Sequence, residues 1–171
     1  YTNITGAYNT FLGYKAGVAS TSSNNTAIGN TAMGQGANSG SNTAIGVDAL
    51  YKNTTGTSNT AVGGYDGTTE GALFANTTGS SNTAVGTGSL QANTTASNNT
   101  AVGYTAGYSN TTGVRNVAIG YKAFYANTTG STCVAIGEDA LQANTTASNN
   151  VAVGYQAGFS NTTGTNNSFF G

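Results

Sequence analysis

Few residues of this chain have the types and spacing for chemistry. Glu138 stands next to Asp139, Asp66 and Glu70 share one short segment, and Cys133 is the single thiol. An acid and base pair needs two carboxylates converging on one point, whereas neighbours on a strand point to opposite faces. Glu138 and Asp139 therefore read as a solvated corner. Asp66 and Glu70 offer two carboxylates to a cation, which is thin for Ca²⁺ with its roughly six to eight oxygen ligands. The chain has no His, so the usual base for nucleophilic catalysis is missing, as are Cys/His ligand sets for a metal. The expectation is a protein that is not an enzyme, with no catalytic residue, metal or cofactor. Cys133 has two readings, a small buried residue or a disulfide to other copies across a symmetry axis.

The remaining candidates are surface contacts, and a repeat sets their spacing. Asn-Thr-Ala-(Ile/Val)-Gly recurs with its glycine at Gly13, Gly29, Gly46, Gly63, Gly86, Gly103, Gly120, Gly137, Gly154 and Gly171, and seven of the nine intervals are 17 residues. Tyr14, Tyr104, Tyr121 and Tyr155 follow the motif glycine directly, while Tyr51, Phe74, Tyr108, Tyr125 and Phe159 lie further along their repeats at a second shared position. Stacked repeats align these into two columns, which serve either as ladder packing of like residues or as a ligand-contact strip for sugars or a host surface. Asn-Thr-Thr recurs at Asn53, Asn76, Asn93, Asn110, Asn127, Asn144 and Asn161. It is an N-glycosylation acceptor sequence, and at a turn such a glycan is sterically free. The plainer reading is that Asn and Thr make good turn hydrogen bonds.

The elements that position these residues follow from the same periodicity. A short, strict repeat means a solenoid. Counting the motif glycine as zero, positions −3 and −1 carry Thr, Val, Ile or Leu and position −2 is usually Ala, an alternation that predicts a strand. Positions −3 and −1 share one face, with the Thr or Val at −3 expected to point inward, and the recurrent Ala marks a second crowded face. Pairs such as Ala49-Leu50 and Ala140-Leu141 predict a second short strand or a tight return, and Asn-Thr-Thr-(Gly/Ala) closes each coil as a turn. A coil is thus expected to run strand, corner, short strand, turn. The fold class is all-β, a parallel β-solenoid or β-roll of about ten 17-residue coils, and residues 1–171 form a single repeat array. The interval from Gly63 to Gly86 holds six extra residues near 64–70, expected to form a protruding loop. The sequence starts inside a repeat and stops on a motif glycine, so further chain is expected on both sides.

Composition sets further limits. Four cations, Lys15, Lys52, Arg115 and Lys122, are scattered against five acids, so no basic stripe is available for nucleic acid. No run approaches the roughly 18 apolar residues of a membrane span. Each coil has only two larger apolar side chains, so neighbouring coils and other chains are expected to supply the missing burial.

The runs Asn42 to Gly46, Asn116 to Gly120 and Gly34 to Asn42 resemble the head repeats of trimeric autotransporter adhesins, and similar repeats occur in bacteriophage tail fibres. The resemblance covers the whole chain as a repeat type. It implies a left-handed parallel β-roll assembled as a homotrimer, although the family's repeat is usually shorter and lacks Asn-Thr-Thr-Gly. No receptor-binding residue carries over. Three functions follow in order. The first is a structural and adhesive segment of a trimeric cell-surface or virion fibre, extracellular, with a host-surface glycan or protein as partner. The second is a subunit of a self-assembling extracellular filament, glycosylated at the Asn-Thr-Thr sites. The third is an ice-binding solenoid, which needs outward Thr in regular rows.

Overall fold

The computed structural model describes residues 5–18, 20–35 and 39–171. Each coil contributes one three-residue strand: β1 (Thr10–Leu12), β2 (Thr26–Ile28), β3 (Thr43–Ile45), β4 (Thr60–Val62), β5 (Thr83–Val85), β6 (Thr100–Val102), β7 (Val117–Ile119), β8 (Val134–Ile136), β9 (Val151–Val153) and β10 (Ser168–Phe170). They form a single ten-stranded sheet in sequence order, parallel throughout. Parallel neighbours need a long return path, and the rest of each coil supplies it. The protein is a parallel β-solenoid. Among the described residues no helix is long and apolar enough to cross a membrane.

Register follows the repeat. Thr43, Ala44 and Ile45 pair with Thr60, Ala61 and Val62. Across the six-residue insertion Thr60 still pairs with Thr83 and Ala61 with Ala84. Each strand stops at the motif glycine, whose φ lies between 118 and 147 along the chain, a backbone conformation that side chains other than hydrogen rarely tolerate.

The interior corrects the expected orientation of the strands. Ala27, Ala44, Ala61, Ala84, Ala101, Ala118, Ala135 and Ala152 are buried, while the residues at −3 and −1 on either side are exposed or half-buried. The larger side chains therefore point out and Ala points in. The reason is the thinness of the coil, since the facing wall lies so near the strand that only a methyl fits beneath it.

That facing wall is not a second strand. Leu50, Leu90 and Leu141, with Met33 and Phe124 in the same slot, are fully buried at φ between 48 and 56. They sit in left-handed turns, bonded to the next coil through contacts such as Leu50 N–H to Ala72 O at 2.9 Å and Leu141 N–H to Ala157 O at 3.0 Å. The expected short strand is a tight return. In three coils this slot holds Gly17, Gly107 or Gly158, and the freed volume is used nearby. Phe11 and Phe169 replace Ala at −2 in the first and last strands, and their rings lie 2.5 and 2.6 Å from where a Cβ on Gly17 and on Gly158 would stand. Core volume is conserved by exchanging Ala and Leu for Phe and Gly.

The other half of the interior is polar. The motif Asn at −4 accepts a backbone N–H from the next coil, as in Asn42 N–H to Asn25 Oδ1 at 3.0 Å and Asn59 N–H to Asn42 Oδ1 at 2.8 Å. Its own Nδ2 donates to a carbonyl of that coil, as Asn42 does to Gly56 at 3.0 Å. A second column, Asn53 to Asn161, is linked amide to amide, with Asn76 Nδ2 on Asn53 Oδ1 at 2.8 Å and Asn93 Nδ2 on Asn76 Oδ1 at 2.8 Å. Buried amides are stable only when both ends are bonded, and identical residues stacked in register satisfy one another.

Cys133 interrupts the first of these columns. It is buried and free, and burial pushes its thiol pKa up. Its Sγ lies 3.5 Å from Ala147 O and 3.5 Å from the Asn150 nitrogen, where an asparagine amide makes shorter bonds. The sulfur lies inside its own coil, so a disulfide to another chain has no route to it without opening the coil. Cys133→Asn restores the ladder and is expected to raise stability by about 1 kcal/mol. The check is a higher urea midpoint at unchanged slope.

Candidate functional site

The outward face of the sheet runs the length of the array, from β1 to β10. Position −1 forms a row of Leu12, Ile28, Ile45, Val62, Val85, Val102, Ile119, Ile136, Val153 and Phe170. Ile45, Val102, Ile119 and Val153 are 36–38 % exposed even in the middle of the array. Beside this row runs position −3, which is Thr in β1 to β6, Val in β7 to β9 and Ser in β10. No charged residue interrupts either row. The face is uncharged and regular, an aliphatic row beside one of Thr, Val and Ser.

Among the described residues the aromatic side chains stack only as three separate pairs, not as continuous columns, because residues such as Thr87, Gln91, Glu138 and Gln142 fill the intervening slots. Tyr104 stacks on Tyr121 with centroids 5.8 Å apart, Tyr108 on Tyr125 at 5.1 Å, and Tyr51 on Phe74 at 5.4 Å. In these pairs one ring face is used up by the neighbouring coil, the geometry of ladder packing. Lys122 lies over Tyr121 and Tyr125 at 5.2 and 5.8 Å, and Lys52 over Phe74 at 4.9 Å, so these cations cover further ring surface. The Tyr121 hydroxyl, through its hydrogen bond and charge, holds the Lys122 pKa above its ordinary value. Tyr14 and Tyr155 are the most open members, 61 % and 64 % exposed, and Phe159 is exposed at 36 %.

The inserted segment leaves the coil after Tyr65, whose N–H still donates to Val47 O at 3.0 Å, and is back in it at Ala72, whose N–H donates to Gly63 O at 2.9 Å across the base. Asp66 does not face a cation partner. Its Oδ1 accepts the N–H of Thr69 at 2.8 Å, the N–H of Thr68 at 3.0 Å and the Thr68 hydroxyl at 2.9 Å. The backbone N–H groups of Thr69 and Thr68 hold its carboxyl below the usual carboxylate range. Among the described residues no group of three or more His, Cys, Asp or Glu gathers in one place. Glu138 is exposed and Asp139 half-buried at the corner after Gly137.

Two further residues hold this loop, Tyr65 and Thr69, and neither stood out as a functional residue in the sequence. The Tyr65 hydroxyl donates to Gly67 O at 2.8 Å, and Thr69 Oγ1 meets Tyr104 Oη at 2.9 Å. The signal lay one coil on. Thr87 and Gly88 stand where Tyr121 and Lys122 stand two coils later, leaving room for the loop above them.

The Asn-Thr-Thr column corrects the expectation of sterically free glycan sites. Asn53, Asn76, Asn93, Asn110, Asn127 and Asn144 are buried at 0–1 % exposure. Their Nδ2 groups are engaged, Asn127 for example donating to Asn110 Oδ1 at 2.8 Å and Gly130 O at 3.0 Å. In the folded coil these amides have no spare hydrogen facing solvent, and Asn161 alone of the seven is half-exposed. No family model matches this chain, and no curated protein or solved structure matches it either.

Proposed function

We propose that this chain is a non-enzymatic structural and adhesive segment of a fibre on a cell or virion surface, in which three copies pack the outward faces of their sheets around a common axis. The observation that carries the reading is the uncharged row from Leu12 to Phe170 at position −1, which a lone solenoid leaves in water. Burying such a row between copies is favourable in proportion to the apolar area removed from water. The strict repeat also supports it, because every coil then offers the same contact and one more coil lengthens the fibre without a new site. Lateral surfaces remain free for a host glycan or protein. With Ile119 and Val102 both changed to Glu, the outward face gains charge while the Ala-lined interior is untouched. The double variant is expected to keep its strand signal in circular dichroism and to sediment as single chains. A double variant that still assembles like the parent contradicts the role assigned to this face.

An ice-binding role is the second reading, favoured by one observation. Thr10, Thr26, Thr43, Thr60, Thr83 and Thr100 form an outward row beside an aliphatic one, not the inward row expected from the sequence. That role requires the face to be bare in solution, whereas the fibre requires it to be covered.

A further inference from the structure

We infer that the inserted loop, residues 64–71, is a contact site for a neutral, hydroxyl-rich glycan, an inference that rests on the adhesive reading above. Among the described residues the loop is a large departure from a regular array, and the neighbouring coil is shaped to receive it. Gly88 lies beneath it, where an added Cβ would come 2.5 Å from the Thr69 methyl. The Gly88 N–H donates to Glu70 O at 3.0 Å, and Thr69 Oγ1 is tied to Tyr104 Oη at 2.9 Å. Inside the loop, the three bonds on Asp66 Oδ1 and the Tyr65 to Gly67 bond fix the chain. Such a loop is organised before any ligand arrives, so little conformational entropy is lost on binding.

The groups it presents are those a sugar needs. Tyr65 is 47 % exposed and Tyr104 38 %, and a rigid tyrosine ring offers apolar contact area and a hydroxyl at low entropic cost. Asp66 is exposed, and a carboxylate has about four acceptor sites on its two oxygens, of which the loop's own bonds fall on Oδ1. The Tyr104 hydroxyl also acts on this carboxyl, and the acceptor sites that remain face solvent, where sugar hydroxyls can donate to them. A ligand carrying its own carboxylate would be repelled by that charge, which selects neutral sugars.

Removing residues 64–69 joins Gly63 to Glu70-Gly71-Ala72-Leu73, the same pattern as Gly137-Glu138-Asp139-Ala140-Leu141, and brings the 23-residue interval back to 17. This loopless variant is expected to keep the fold. The test compares the full chain, the loopless variant and Asp66→Asn on immobilised neutral hexose, N-acetylhexosamine and sialylated oligosaccharides. Circular dichroism and particle mass are followed in parallel. The parent is expected to bind neutral members and not sialylated ones, and the loopless variant to fall to background. Asp66→Asn keeps the Oδ1 acceptor and is expected to weaken binding roughly tenfold or more, as loss of a charged hydrogen bond does. A loopless variant that binds like the parent overturns the inference and leaves adhesion to another surface of the fibre. A parent that binds no member also overturns it, while the fibre itself is judged separately by its mass.

Discussion

Gly103→Ala is expected to cost roughly 2–6 kcal/mol, from about 1–3 for a backbone conformation that side chains avoid and about 1–3 for overpacking. Gly103 has φ 134, and a methyl there would overlap the Gly120 carbonyl of the next coil. The same geometry recurs at Gly120 against the Gly137 carbonyl, so the motif glycine sets how closely coils approach. Gly67 in the loop provides the comparison. Its φ is 102, but an added Cβ meets nothing within 4 Å, so Gly67→Ala carries the backbone part alone. Urea unfolding of the two variants separates the effects. Equal losses would mean that close stacking at the motif glycine contributes nothing.

The second large effect is expected inside the amide column. Asn127 donates to Asn110 Oδ1 at 2.8 Å and Gly130 O at 3.0 Å, and accepts from Gly130 N–H at 3.0 Å and Asn144 Nδ2 at 3.2 Å. Asn127→Leu keeps the volume and strands three of these four groups, since Gly130 O keeps its bond from Asn116 Nδ2 at 2.9 Å, each buried group left unbonded costing about 1–3 kcal/mol before the structure relaxes. A net loss of about 3–5 kcal/mol is expected, seen as faster hydrogen exchange at the Gly130 amide and its neighbours. Asn161 is half-exposed and makes two of these bonds, at 3.2 and 2.9 Å. Asn161→Leu is therefore expected to cost only about 1 kcal/mol, because water replaces the lost partners. Equal protection at Gly130 in the parent and in Asn127→Leu would show that the ladder does not hold the coils together.

Much of this architecture was legible in the repeat. The motif spacing located every strand from Thr10 to Phe170, the parallel stacking, the three stacked aromatic pairs and the loop between Gly63 and Ala72. Which strand face is inside was not legible, because a period of two separates Ile45 from Ala44 without saying which side is buried. Placing the larger apolar residue inside fails when the coil is too thin to hold it. The recurrent Ala was the available clue, since a slot filled with methyl groups in coil after coil is one with no room for more. The Asn-Thr-Thr segment misled for a related reason. Asn suits exposed turns, but Asn stacked on Asn in every coil satisfies its own amide and belongs inside. The left-handed turn at Leu50 and Leu141 was hidden because bulky residues seldom adopt it, although Gly107 and Gly158 in the equivalent slot pointed to it.

Everything proposed for this chain depends on what covers the outward face from β1 to β10. The most direct test is the mass of the purified chain by light scattering, with negative-stain images of the same sample. The fibre account predicts a discrete, elongated particle of three chains. A well-folded single chain at micromolar concentration would contradict it, leaving the row of Ile and Val bare and the ice-binding reading in its place.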